Sequence, residues 1–480
     1  MKINHYFSLL LCGMMFCFGL FSHAQQQFQG LCNRVKIEIE QELTTERIGF
    51  EAVLKVTNND GQDPINQFSA ALTFVDVETG EDASDRFFVQ APDLESLNRI
   101  DGTGIIGPTK TGIVTWFIIP KTGDNAPGGE NPQGKEYKIG CSLSGFIRGT
   151  KIPEDVLFAM EDTITVKPEP QLDITYFQPR DVQGDDPFTP EVESPIPFTL
   201  GVLVQNSGFG IARSVKIDSK QPKIVENKNG LLLIARLLGA RVQDSPLQES
   251  SLLVNLGDIE PQKVKKGAWD MITSLSGEFV EFKASYRHAD DLGGESTSLI
   301  KSLNAHFIAR EVLNDEPGRD SIKDFLADTD RDPNILPDTL YETDGAILPV
   351  NYQPQAVAGD LTGGQTTVTL AADREGWVYM RLDDPGQARY PISRVVRNDG
   401  KVLNPRNYWT NIRYRREDNF RQTFLNLFDR VESGSEYTYS ITYETTNNDV
   451  TSPETRLRFS GESSGDGPFF ITTETQMYFT

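Results

Sequence analysis

Residues 47–56 read RIGFEAVLKV. Ile48, Phe50, Ala52, Leu54 and Val56 take every second position, so an extended backbone puts them on one face. That alternation specifies a half-buried β-strand. It recurs on both sides: NRVKIEIE (33–40) alternates Val35, Ile37 and Ile39 with Lys36 and Glu38, and EYTYSITY (436–443) alternates again. TGIVTWFII (111–119) is a short unbroken apolar run, as expected of a strand covered on both faces. Between such runs lie TNNDGQDP (57–64), TGDNAPGGENPQG (122–134) and NSGFG (206–210), which have turn and loop compositions. Helical spacing is confined to REDNFRQTFLNLF (416–428) and DSIKDFL (320–326). The pattern predicts an all-β protein of three tandem immunoglobulin-like β-sandwich domains with short helices in the loops.

The N-terminus predicts export. Lys2 precedes an apolar run from about Tyr6 to Phe21, and Ser22-His23-Ala24 ends it with small residues where a signal peptidase reads. The run is shorter than the ~20 residues that span a bilayer, no later segment is apolar enough to insert, and neither Cys12 nor Cys17 survives cleavage after residue 24. The remaining Cys32 and Cys141 are expected to pair in an oxidising compartment, secreted, extracellular or periplasmic. A formal charge of −23, with Lys2 in the leader, argues against nucleic-acid and anionic-lipid partners. The expected organisation is a leader (1–24), a first sandwich (25–168) ending at KPEPQ, a second (169–312), an acidic linker (313–345) and a third sandwich (346–480).

Motifs for catalysis are weak. GTGIIG (102–107) has dinucleotide-loop lettering, but Pro108 and a strand follow where a helix is required. GESSG (461–465) has nucleophile-elbow lettering, but a strand follows and no histidine comes later. His288 and His306 are the histidines outside the leader, and neither has a Cys, His or Glu partner at zinc spacing. With 69 acidic residues, no carboxylate pair is singled out for glycosidase chemistry. The chain reads as a binding or structural, adhesion-type protein without catalytic activity, its partner a protein or glycan at the cell surface. The alternative is a carbohydrate-binding accessory protein using the aromatic-rich third domain. There Trp377, Tyr379, Tyr408 and Trp409 interleave with arginines such as Arg413. Such residues suit a ligand platform; the same spacing suits core positions with arginines outside, which is the commoner use.

Two resemblances refine this reading. VLVQNSGFGIARSVKI (202–217) resembles the strand, Asn/Gly turn and strand of CARDB-type bacterial immunoglobulin-like modules, and VESGSEYTYSITYE (431–444) is similar to the penultimate strand of fibronectin type III domains. Both imply exported binding or spacer modules with no catalytic residues to carry over. DTDRDPNILPDTLYE (328–342) places Asp328, Asp330 and Asp332 on the alternation with which a calcium loop turns successive carboxylates toward one ion. It resembles a thrombospondin type 3 calcium repeat, D-x-D-x-D-G-x-x-D-x-x-E, with Pro333 in place of glycine and two residues inserted. The resemblance implies Asp338 as a fourth ligand and Glu342 as a fifth, with calcium stiffening the junction. The composition alone is equally that of a solvated acidic linker.

Overall fold

A computed structural model describes residues 35–39, 41, 43–185, 192, 194–219, 223–226, 234–249, 251–284, 294–330, 336–415, 420–444 and 470–478. The expected leader, Cys32, His288, Asp332 and GESSG lie outside them. The described chain is all-β: the only helical elements among the described residues are 3₁₀ turns at Ser84–Arg86 and Gly294–Thr297. No helix among the described residues is long and apolar enough to cross a membrane.

Two compact units are present. The first takes in residues up to 44, 48–119 and 135–166. It is a sandwich of two antiparallel sheets. One runs Val35–Glu38, Phe50–Thr57, Thr111–Pro120, Phe87–Val89; the other runs Leu43–Thr45, Asp162–Lys167, Lys135–Ile147, Ile65–Asp76, Asp101–Ile106. Phe50, Ala52, Leu54 and Val56 point into the core at 3% exposure or less, as alternation requires, whereas Ile48 falls in the preceding turn and is 53% exposed. GTGIIG lies in the antiparallel strand Asp101–Ile106, so its glycines open no helix.

The second unit takes in 45–47, 120–134 and everything from Lys167 on, so both later expected modules fall within it. Its spine is a twelve-stranded sheet. Leu172–Gln178 pairs with the first half of Ile300–Val312, and Asp324–Asp328 pairs with the second half. The path continues through Thr339–Tyr341, Ile347–Tyr352, Gly376–Asp383 and Phe420–Val431 to Tyr408–Arg415. The final strand, Phe470–Tyr478, joins a separate six-stranded sheet with Ala212–Ser219 and Gly277–Ala284.

Two expectations are corrected here. The stretch 313–345 is not a solvated linker: Asp324–Asp328 is a strand with all five residues buried, inside the sheet. The described ends of the two stretches with helical spacing are strand, not helix: Asp324–Leu326 of DSIKDFL lies in Asp324–Asp328, and the part of REDNFRQTFLNLF from Phe420 on lies in Phe420–Val431, twelve residues of β-structure. The reason is visible in its burial: Phe424, Leu425, Asn426, Leu427 and Phe428 are all buried, so both faces are covered and periodicity carries no signal.

The last seven strands of the spine roll up. Leu313 N donates to Asn407 Oδ1 at 2.9 Å, and Asn407 Nδ2 donates back to Leu313 O at 2.9 Å. This ties the end of Ile300–Val312 to the start of Tyr408–Arg415, at opposite ends of the seven. Val312, Leu326, Leu340, Val350, Trp377, Tyr379, Trp409 and Phe428 form the core inside the roll.

Glu46 gives the second unit a pH dependence. It is 4% exposed, and its two oxygens accept the Gly128 and Glu169 backbone N–H groups at 3.0 and 3.1 Å. Burial outweighs these bonds and pushes its carboxyl up to about 7. The folded state therefore holds this proton more tightly than the unfolded chain, whose glutamates titrate near 4.5. The associated stability, on the order of 2–3 kcal/mol, is present below about pH 4.5 and lost as pH rises through 7. Glu46→Gln is expected to raise the urea midpoint at pH 8 and leave it nearly unchanged at pH 5. Equal effects at both pH values would contradict the assignment.

Candidate cation centre

Ala327 pairs with Thr339 in the antiparallel ladder, which sets Asp328 opposite Asp338 where the hairpin opens into its loop. Like charges directly opposite on adjacent strands destabilise the pair. The sequence nevertheless puts a third carboxylate beside them. Asp328, Asp330 and Asp338 each offer an oxygen, all within 4.8 Å of one another.

The three carboxylates are held differently. Asp338 is fixed by donors: Thr329 N at 3.1 Å and Thr339 Oγ1 at 2.8 Å reach its Oδ1, and Thr329 Oγ1 reaches its Oδ2 at 2.7 Å. Asp328 Oδ1 accepts Asp330 N at 3.2 Å, the Asx turn that swings Asp330 back toward its neighbour. Asp328 itself has no exposed surface, and its Oδ2 has no hydrogen-bond partner. Burial, followed by a carboxyl–carboxylate hydrogen bond with Asp330 and then by its charge, pushes the Asp328 carboxyl up to about 7. A buried carboxylate oxygen lacking a donor is costly unless a proton or a cation meets it. The donor set, three carboxylates with the Thr329 and Thr339 hydroxyls bonded to Asp338, is that of a hard cation such as calcium.

Glu342 does not join them. Phe325 pairs with Tyr341, which puts Glu342 opposite Asp324 at the far end of the strand pair. Four residues of strand separate it from Asp338, about 13 Å. There Glu342 meets Arg319 Nη1 at 3.1 Å and the Asn314 side-chain amide. The thrombospondin-like spacing fails at this position because the segment is extended β-structure, which separates residues that a coiled loop would gather.

The aromatic candidates are core residues, not a platform. Trp377, Tyr379, Tyr408 and Trp409 are 4%, 2%, 6% and 8% exposed. Trp377 stacks flat on Phe428, centroids 4.7 Å apart. Tyr379 donates its hydroxyl to Asn426 Oδ1 at 2.7 Å, and Tyr408 donates to Ser393 O at 3.2 Å. Trp377, Tyr379 and Trp409 pack in the core inside the roll and Tyr408 in the neighbouring one, so little of their surface reaches solvent. Arg413 lines a cavity with Tyr379 and Trp409. Thr329 is the residue of the cation centre that alternation of acids could not reveal, since its role depends on the cross-strand register.

Cys141 is half-buried on Lys135–Ile147, opposite Leu72, and burial pushes its thiol up to about 12. His306 stacks on Tyr341, with its Nε2 3.1 Å from the Tyr341 hydroxyl.

No family model and no curated protein matches this chain. Solved structures give distant likenesses. A type II cohesin dyad from the adaptor ScaA scaffoldin of Acetivibrio cellulolyticus is 11% identical, over 56% of this chain and 97% of that one, at TM-score 0.15. The Escherichia coli adhesin FdeC is 9% identical, over 86% and 88%, at TM-score 0.16. An α-L-rhamnosidase from Dictyoglumus thermophilum is 10% identical, over 86% and 47%, at TM-score 0.14. At these scores the superpositions carry no argument about ligand or activity.

Proposed function

We propose that this chain is an exported, non-catalytic binding and structural protein of the adhesion type, whose rolled sheet is locked by calcium at Asp328, Asp330 and Asp338. The observation that carries the cation is Asp328 Oδ2, fully buried, without a donor, and opposite a second carboxylate. Extracellular calcium is millimolar, and sites with Kd of 10⁻⁴–10⁻³ M serve in that setting. Asp332, expected from the sequence as a further ligand, lies outside the described residues. The role is mechanical: neutralising the acidic hairpin end removes a cross-strand repulsion inside the spine. Burial of the aromatic residues counts against the carbohydrate-platform alternative.

Calcium at 5 mM is expected to stabilise the second unit by about 2 kcal/mol for a Kd near 10⁻⁴ M, a rise of a few degrees in thermal midpoint. Asp328→Asn is expected to abolish that rise while raising the midpoint of the calcium-free protein. Identical midpoints with and without calcium in the wild type would remove the cation from the account.

Export and oxidation belong to the same proposal. A non-reducing peptide map of secreted protein is expected to begin at Gln25 and to recover Cys32 linked to Cys141. An intact Met1 or two freely alkylated thiols would refute the respective part.

A further inference from the structure

The roll does not close by a ladder. Tyr408–Arg415 is the last strand of the spine and pairs, among the described residues, only with Phe420–Val431. Its open edge faces the second half of Ile300–Val312. Between the two lies a cavity of about 390 Å³, in whose wall Gln183 Nε2 donates to Ile412 O at 2.7 Å. That bond shows which way the edge points. The Ile412 carbonyl is directed outward, so the Thr410 backbone groups, two residues away on the same strand, face the cavity too.

The charge of this cavity is opposite to that of the protein. In a chain of net charge −23, Arg180, Arg310, Arg381, Arg406 and Arg413 all line it. Among the described residues, the acidic ones in its wall are Asp181 and Glu311, and Glu311 is already committed to Arg241 at 2.6 Å and Lys266 at 2.7 Å. Arg310 lies 5.2 Å above the Trp409 ring, and its buried Nε has no hydrogen-bond partner. Burial, and then repulsion from Arg406, push its guanidinium down to about 10. Arg406 stands exposed at the rim. A concentration of guanidinium groups, one of them with an unpartnered Nε, is the chemistry that receives an oxyanion, and arginine forks match a carboxylate bidentately.

We infer that this cavity takes the terminal or side-chain carboxylate of an extended peptide from a partner protein, which adds to the open Tyr408–Arg415 edge while its carboxylate is received by Arg310 and Arg406. The open edge favours a peptide over a compact anion, because an extended chain supplies the backbone partners that the Thr410 groups lack in the ladder, and side-chain specificity then comes from the pocket. The inference rests on the binding role proposed above but not on calcium. Its readout is peptide affinity, whereas the calcium proposal is read by thermal midpoint, so either can fail alone.

The test is fluorescence anisotropy with the full chain and a labelled pentapeptide of alternating valine and threonine ending in glutamate with a free carboxylate. Its comparison is the same peptide ending in glutamine amide. The free acid is expected to bind at least tenfold more tightly than the amide, and to weaken as salt rises from 0.05 to 0.5 M. Arg406→Gln, on an exposed loop, is expected to lose tenfold or more. Arg310→Met is expected to abolish binding with the thermal midpoint unchanged or raised, because it removes a buried, uncompensated cation while keeping the apolar stem over Trp409. Equal binding of acid and amide would overturn the inference. So would competition by a glucuronate disaccharide as strong as that by the peptide, or an Arg310→Met protein that loses stability while Arg406→Gln still binds.

Discussion

Lys266→Ala is expected to destabilise the second unit by about 3–5 kcal/mol, measured by urea unfolding at pH 7. Lys266 has no exposed surface. Its ammonium donates to Lys323 O at 2.5 Å, lies 2.7 Å from Glu311 and 3.6 Å from Asp244, and sits 4.7 Å from the centroid of Phe325. Glu311 is shared with Arg241 Nη2 at 2.6 Å, and Arg241 reaches Asp270 at 3.2 Å. Burial disfavours the ammonium more than its partners recover, so its pKa lies below the ordinary lysine range. Glu311 is the reverse case: burial pushes it up, but Lys266 and Arg241 outweigh burial and hold it at about 2. Truncation to alanine leaves Glu311 buried with one close cation fewer and opens a void against Phe325. The double change Lys266→Met with Glu311→Leu is expected to cost clearly less, because it removes both charges and keeps the volume. The depressed Glu311 carboxyl contributes stability above about pH 4.5 that is lost as pH falls through about 2, so the deficit of Lys266→Ala narrows over that window. A deficit under 1 kcal/mol at pH 7 would mean that the network is not formed in solution.

Trp377→Ala separates the core reading of the aromatics from the platform reading. With 4% exposure, and stacked on Phe428 at an interplanar angle of 5°, the indole fills the interior of the roll. Its loss is expected to cost about 3–5 kcal/mol, from lost transfer energy and the cavity left behind. A platform tryptophan would give a near-native unfolding midpoint and a specific loss of ligand binding. Measurement of the urea midpoint decides between them.

The fold was largely legible because strand alternation is a local signal. Phe50, Ala52, Leu54 and Val56 reach the core in the order their spacing dictates. Legibility failed where both faces of a strand are covered. Phe424–Asp429 within Phe420–Val431, and all of Asp324–Asp328, are buried, so these residues show no period, and their acidic and amide members made them look like a helix and a linker. The acidic cluster was half legible. Asp328 and Asp330 meet because an Asx turn is a local device, and Asp338 joins them through the Ala327–Thr339 register, which the spacing of acids foreshadowed. Glu342 was assigned by analogy with a coiled loop and is instead carried away along an extended strand. The arginine cavity left no trace in sequence. Arg180, Arg310 and Arg406 come from segments more than ninety residues apart, and only the rolling of the sheet assembles them.

The most direct test of the central claim is a crystal structure of the protein grown in 5 mM calcium, with anomalous scattering recorded at long wavelength. The account predicts an anomalous peak with oxygens of Asp328, Asp330 and Asp338 at about 2.3–2.6 Å, Asp328 Oδ2 among them. A map with no peak there, and Asp328 Oδ2 within hydrogen-bond distance of Asp330 or of a water, would show that a proton and not a cation satisfies the buried carboxylate, and would contradict it.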